Sequence, residues 1–241
     1  MKTTDVLSYR NLESALRRLP APADQLHCYV RERRIREETV QKITDDGIGG
    51  KVFGVGLSRT ATTSLAEALR ELGYATAHWK TRGEISGLED FYRFDAVTDT
   101  PSACRFEQLY YAFPDSRFIY TTRGLEDWTS SVREHFGCDD PRKLTSRERA
   151  RRKAEGSGGA AYENLLRWMY IHQSLYARHE SWAEAYRHHD RRVRSFFQDK
   201  AERILEINII EEQDPWGKLC EFLGQPLPDR PFPHENRSSD E

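Results

Sequence analysis

A chain of 241 residues with 37 Lys plus Arg against 39 Asp plus Glu carries a formal charge of -2 at pH 7, which excludes the broad cationic field that holds nucleic acid. Cys28, Cys104, Cys138 and Cys220 form neither a CxxC pair nor a zinc-type Cys/His cluster, so no metal centre and a reducing, cytoplasmic setting are expected. No apolar stretch has the length of a membrane span, and the start, MKTTDVLSYRNLESALRRLP, is neither apolar enough for a signal peptide nor acid-free like a transit peptide, so no membrane association is expected.

Residues 1–46 read as short charged helices, such as YVRERRIREETVQKI, ending in the turn DDGIGG; they are expected to form a helical appendage to one α/β domain over 47–241. From residue 51 the pattern changes. An apolar run at 52–55 predicts a buried strand, 62–72 a helix closed by Gly73, and 74–78 a second strand. Strands follow at 94–98 (FDAVT) and 117–122 (RFIYTT), with a helix around SACRFEQLYYAF between them and another at LEDWTSSVREHF. The charged, glycine-containing stretch 139–160 reads as a solvated helix face or a mobile lid. Two helices come next, then a strand at 203–209, a helix at PWGKLCEFLG and a Pro-rich tail. This alternation predicts a three-layer α/β/α domain with a central parallel sheet.

In such sheets ligands gather beyond the carboxyl ends of the strands, where a helix start offers unpaired amides and a positive dipole end to an anion. The stretch GLSRTATTS after the first strand fits that place. Gly56 permits a tight turn, and Ser58, Thr60, Thr62 and Thr63 supply hydroxyls. Against the triphosphate loop GxxxxGK[ST], Ala61 stands at the second glycine and Thr62 at the lysine, so the triphosphate grip is missing. The cation sits earlier, as Arg59 at the loop apex, where it can reach a group transferred from the end of one phosphate.

Ser58 to Ser64, SRTATTS, resembles the 5'-phosphosulfate loop of sulfotransferases that use 3'-phosphoadenosine 5'-phosphosulfate (PAPS), which reads roughly PKSGTTW in the cytosolic branch. Arg59 takes the lysine position, Thr60 the serine, Ala61 the glycine, and Thr62 and Thr63 the paired threonines; Ser64 replaces the tryptophan that stacks on adenine. The family's other signature, a strand ending in Arg with a Ser eight residues later, is matched by Arg123 and Ser131 in FIYTTRGLEDWTSSVREHF. The resemblance implies that this pair holds the 3'-phosphate.

Where the cytosolic branch carries a histidine base, this chain has VTDTPSA. That makes Asp99 a candidate base, and equally a helix N-cap; His78 in ATAHWK is the reserve, with Trp79 as a pocket wall. PFPHENR also resembles the end of bacterial members, where Arg237 or His234 would close over the nucleotide. His188 and His189 lack a third ligand for a metal. The resemblance thus implies a P-loop-like sulfotransferase fold, PAPS as co-substrate without a metal, and a small-molecule acceptor with a hydroxyl or amine, in a monomer or homodimer. The rivals are a small-molecule or nucleotide kinase of the P-loop type, which needs magnesium and a loop lysine, and a nucleotide-binding module without activity.

Overall fold

Residues 50–81, 83–146 and 160–234 are described by a computed structural model; the expected appendage over 1–46, most of 139–160, and Arg237 lie outside the described residues. The described residues form seven strands, five of them where the sequence places strands: β1 Val52–Gly54, β2 Thr76–His78, β3 Lys80–Thr81, β4 Glu84–Ile85, β5 Ala96–Thr98, β6 Arg117–Thr121 and β7 Ile204–Ile207. Their order in the sheet is β4-β3-β2-β5-β1-β6-β7. The five strands from β2 to β7 in that order are parallel, and β3 and β4 add an antiparallel edge. That edge was not expected, because two-residue strands carry no alternation for a sequence pattern to show.

Successive strand residues point to opposite faces, and here both faces are covered. Val52, Ala96 and Ile119 pack with Leu65 and Leu69 of α1 (Thr62–Glu71) and with Trp216, Leu219 and Leu223 of α8 (Pro215–Leu223). Their chain neighbours Phe53, Val97 and Phe118 pack the other way. They meet Phe91 of α2 (Leu88–Arg93), Phe106 and Leu109 of α4 (Phe106–Ala112), and Val193 and Phe197 of α7 (Trp182–Phe197). Burial on both faces is why the strands read as unbroken apolar runs. This is the expected three-layer α/β/α arrangement.

The single helix expected around 102–113 is two, α3 (Thr100–Ala103) and α4. The chain leaves helical geometry at Arg105 (φ -129, ψ 13), whose guanidinium lies 4.4 Å from the ring centre of Tyr170 in α6 (Ala160–His172). A third cluster lies beyond the carboxyl ends of the strands. Leu57, Trp128 and Val132 of α5 (Leu125–Phe136), Trp168, Tyr176 and Trp182 form it. Tyr176 belongs to a π-helical turn, Gln173–Ala177, that continues α6.

β1 leads into α1 on one face, whereas the neighbouring β5 leads into α3 and α4 towards the other. Connections that leave adjacent strands on opposite faces open a crevice at their carboxyl ends. The loop after β1 and Asp99 after β5 both lie at that crevice. His189 of α7 ties the loop's first residue down: it is buried, its Nε2 donates to the Val55 carbonyl at 2.8 Å, and Nδ1 has no partner among the described residues.

Burial pushes the His189 pKa down to about 4 from 6.5. The native state therefore stays neutral while the unfolded chain takes the proton, so stability falls as pH drops below about 6.5 and the loss is complete below about 4. The expected loss is on the order of 3 kcal/mol. Denaturant titrations at pH 7 and pH 4.5 measure it, and His189→Gln should flatten this part of the profile; an unchanged slope in the variant would contradict the assignment.

Candidate active site

Between β1 and α1 the chain must turn sharply at the sheet edge. At Gly56 the requirement is close approach rather than the conformational freedom expected from the sequence. A Cβ there would lie 1.9 Å from Thr121 Oγ1 and 2.6 Å from Thr60 Oγ1, and Gly56 is not among the positive-φ residues. The left-handed conformations fall later, at Arg59 (φ 71) and Ala61 (φ 63). Ala61, at the N-cap of α1 with ψ 31, stands where the resembled loop has glycine. Its backbone shows why glycine suits that position, since a Cβ there costs about 1 to 2 kcal/mol.

An anion-binding loop must turn its carbonyls away from the anion and leave its amides facing it. Each carbonyl from 57 to 59 is held by a donor behind the loop. Leu57 O accepts from Thr60 Oγ1 at 2.7 Å, Ser58 O from Trp128 Nε1 at 2.9 Å, and Arg59 O from Arg123 Nη1 at 3.4 Å. The amides of Arg59, Ala61, Thr62 and Thr63 have no hydrogen-bond acceptor among the described residues. They form the open start of α1, where the helix dipole adds positive potential.

The hydroxyls divide between the two sides. Thr60 is buried, with its hydroxyl bonded to Leu57 and to Thr121 Oγ1 at 2.7 Å and its amide given to Leu57 O at 3.3 Å. Neither of its donors is left for a ligand, so it braces the turn. Thr62 and Ser64 are buried in the first turn of α1. Ser58 Oγ reaches Asp99 Oδ1 at 3.4 Å, and Thr63 Oγ1 lies 3.3 Å from His78 Nε2.

The second motif meets the first. Arg59 Nε donates to Ser131 Oγ at 3.0 Å, and Arg123, through Nη1, reaches the Arg59 carbonyl. The Arg59 terminal nitrogens have no partner among the described residues, and neither guanidinium has a carboxylate within ion-pair distance there. Two guanidinium groups without a carboxylate partner among the described residues stand beside four open amides, with the Asp99 carboxylate at the edge of the loop.

Of the two readings of Asp99, the N-cap is the one the hydrogen bonds show. It is the N-cap of α3, accepting from the Thr100 amide at 2.7 Å, and its other oxygen, Oδ2, lies 3.7 Å from His78 Nε2. His78 Nδ1 lies 2.9 Å from Thr98 Oγ1. The first candidate base and its reserve are thus neighbours. Trp79 follows in the left-handed region (φ 48), its ring edge-on to His172 at 5.8 Å.

His135, four residues after Ser131, was not singled out by sequence. Partial burial and then the Arg59 charge hold its pKa below the ordinary value, with Asp99 opposing. Tyr176, Tyr186 and Trp128, which touch the loop backbone, also carried no sequence signal beyond ordinary core aromatics. His234 is exposed with its ring near Phe232, on the α8 face. Among the described residues no group of three or more His, Cys, Asp or Glu could hold a metal, no helix is long and apolar enough to cross a membrane, and Cys104, Cys138 and Cys220 are free thiols.

The geometry agrees with two comparisons. The chain is similar to "Ava biosynthesis cluster protein M" of Aspergillus versicolor, 27% identical over 212 residues that span 76% of this chain and 80% of that protein. The family model described as a sulfotransferase domain matches residues 51–86 and 88–240. That match spans most of the chain, and this chain belongs to the sulfotransferase domain family.

Proposed function

We propose that this chain moves a sulfuryl group from PAPS to a hydroxyl or amine of a small-molecule acceptor. One observation carries the reading: open amides at the start of α1 and two guanidinium groups, without carboxylate partners among the described residues, converge on one crevice. That is a receptor for two separated phosphates, and the missing lysine at Thr62 argues against a triphosphate. The Aspergillus versicolor relative is named as a biosynthesis cluster protein, which suits a small-molecule acceptor.

The donor supplies an activated sulfuryl group on its 5'-phosphate. The amides of Ala61, Thr62 and Thr63 hold that phosphate, with the Thr63 hydroxyl at the margin. Arg59 neutralises charge that grows on the leaving phosphate oxygen as the bond to sulfur breaks. Arg123, with the Ser131 hydroxyl, binds the 3'-phosphate; its fork has nitrogens to spare beyond the one given to Arg59 O. Asp99, or His78 beside it, takes the acceptor proton while the acceptor oxygen or nitrogen bonds to sulfur. Arg237, outside the described residues, would close over the nucleotide.

Arg59 Nε donates to Ser131 Oγ, so the cation of the first corner and the hydroxyl of the second meet in one site. The test is a thermal-shift comparison. Adenosine 3',5'-bisphosphate should raise the melting temperature by several degrees at 100 times its dissociation constant, as expected for about 2.7 kcal/mol of linkage in a chain of this size. ATP with magnesium should shift it less, and a larger shift with ATP and magnesium would favour the kinase.

A further inference from the structure

The two corners of the site lie on different loops, and loops are ordinarily the least constrained parts of a domain. Here the main chain of each corner is held by an aromatic side chain. Ser58 gives its amide to Tyr176 Oη at 3.1 Å and accepts from Trp128 Nε1 on its carbonyl at 2.9 Å. At the other corner, Tyr186 Oη donates to the Arg123 carbonyl at 2.6 Å and accepts from the Arg123 amide at 3.4 Å.

These three side chains are one packed unit. The Trp128 ring lies 4.9 Å from Tyr186 and 6.5 Å from Tyr176, and Trp182 touches both Trp128 and Tyr176 at 6.2 and 5.5 Å. Trp128, Tyr176 and Trp182 are fully buried. Close-packed interiors yield little to displacement, so the unit holds the two corners at a fixed separation while each ring's polar tip fixes its own corner. The π-helical turn Gln173–Ala177 that carries Tyr176 interrupts regular helix geometry at this point, as such turns do at functional sites. The polar tips of the three rings meet loop peptides.

We propose that Trp128, Tyr176 and Tyr186 are positioning residues that set the separation of the two anion corners, and so make the site selective for a nucleotide with phosphates on both its 3' and 5' oxygens. This rests on the donor reading above. A receptor preset to that spacing binds a matching bisphosphate without first ordering its loops. A ligand with one phosphate gains only from the corner it occupies.

The experiment measures dissociation constants for adenosine 3',5'-bisphosphate and adenosine 5'-monophosphate, and takes their ratio. Tyr186→Phe, which removes one oxygen from a half-buried ring, should lower the preference for the bisphosphate about fivefold with monophosphate affinity unchanged, the scale of one neutral hydrogen bond. Tyr176→Phe acts on the 5' corner and should weaken both ligands together. Tyr120→Phe is the control, because its ring is also buried but its hydroxyl bonds the Asp190 carboxylate at 3.1 Å instead of the main chain of either corner; it should leave the ratio alone.

Wild-type protein that prefers the bisphosphate, with the same preference in Tyr186→Phe, overturns the brace and leaves the donor reading standing. An equal change in Tyr120→Phe overturns it too, as general loosening. Wild-type protein with no preference removes the donor reading and the brace with it.

Discussion

Arg59→Ala should lower the rate of sulfuryl transfer by about three orders of magnitude, while affinity for adenosine 3',5'-bisphosphate falls only about tenfold. The split follows from what the residue does with its backbone and what it does with its side chain. Its carbonyl holds Arg123 and its neighbour Ser58 is held by Tyr176 and Trp128, so the shape of both corners survives removal of the guanidinium. Lost are the contact to Ser131 and two terminal nitrogens that have no other partner among the described residues. In the proposed mechanism the guanidinium acts on charge that grows on the departing phosphate oxygen, so its loss falls mainly on the transition state. Arg59→Lys should recover part of the rate, since it keeps the charge but not the planar fork. Steady-state rates with calorimetric binding measure both quantities. Equal losses in rate constant and affinity would make Arg59 a binding residue, and unchanged turnover would remove it from the mechanism.

Much of this was legible in the chain because it depends on local rules. The strand boundaries follow from apolar runs that both faces bury, and α1 from Leu65 and Leu69 spaced four apart on one face. Arg59, Arg123 and Ser131 could be named because each motif is short and sits at a strand-to-helix junction. Their mutual contact could not be named, since β1 and β6 become neighbours only through the sheet register Val52↔Arg117. The aromatic brace was hidden for a different reason: Tyr176 lies 118 residues from Ser58 and Tyr186 lies 63 from Arg123, and neither spacing leaves a periodic trace. Thr60 shows the converse error. As a hydroxyl in a phosphate loop it reads as a ligand, but the approach of Gly56 to Thr121 draws it inward.

Asp99→Gly should leave stability unchanged or raise it by up to about 2 kcal/mol, while transfer falls by roughly two to four orders of magnitude. Asp99 has φ 75 and ψ -170, a region in which only glycine is at ease. The strain there is about 1 to 3 kcal/mol, and glycine would relieve it. Against that stand a few tenths of a kcal/mol for the weaker N-cap and about 0.4 to 1 kcal/mol for the looser unfolded chain. A residue kept only to cap a four-residue helix would therefore be served as well by glycine. What glycine cannot supply is a carboxylate oxygen beside His78 and within reach of Ser58. Asp99→Asn separates the two further, because it keeps the cap and the strain but has no basic oxygen; it should match the glycine variant in rate and the parent in melting temperature. Thermal melts and turnover of the three proteins decide the matter. A glycine variant that is destabilised by more than about 1 kcal/mol yet turns over normally would make Asp99 a structural cap and leave the proton to His78.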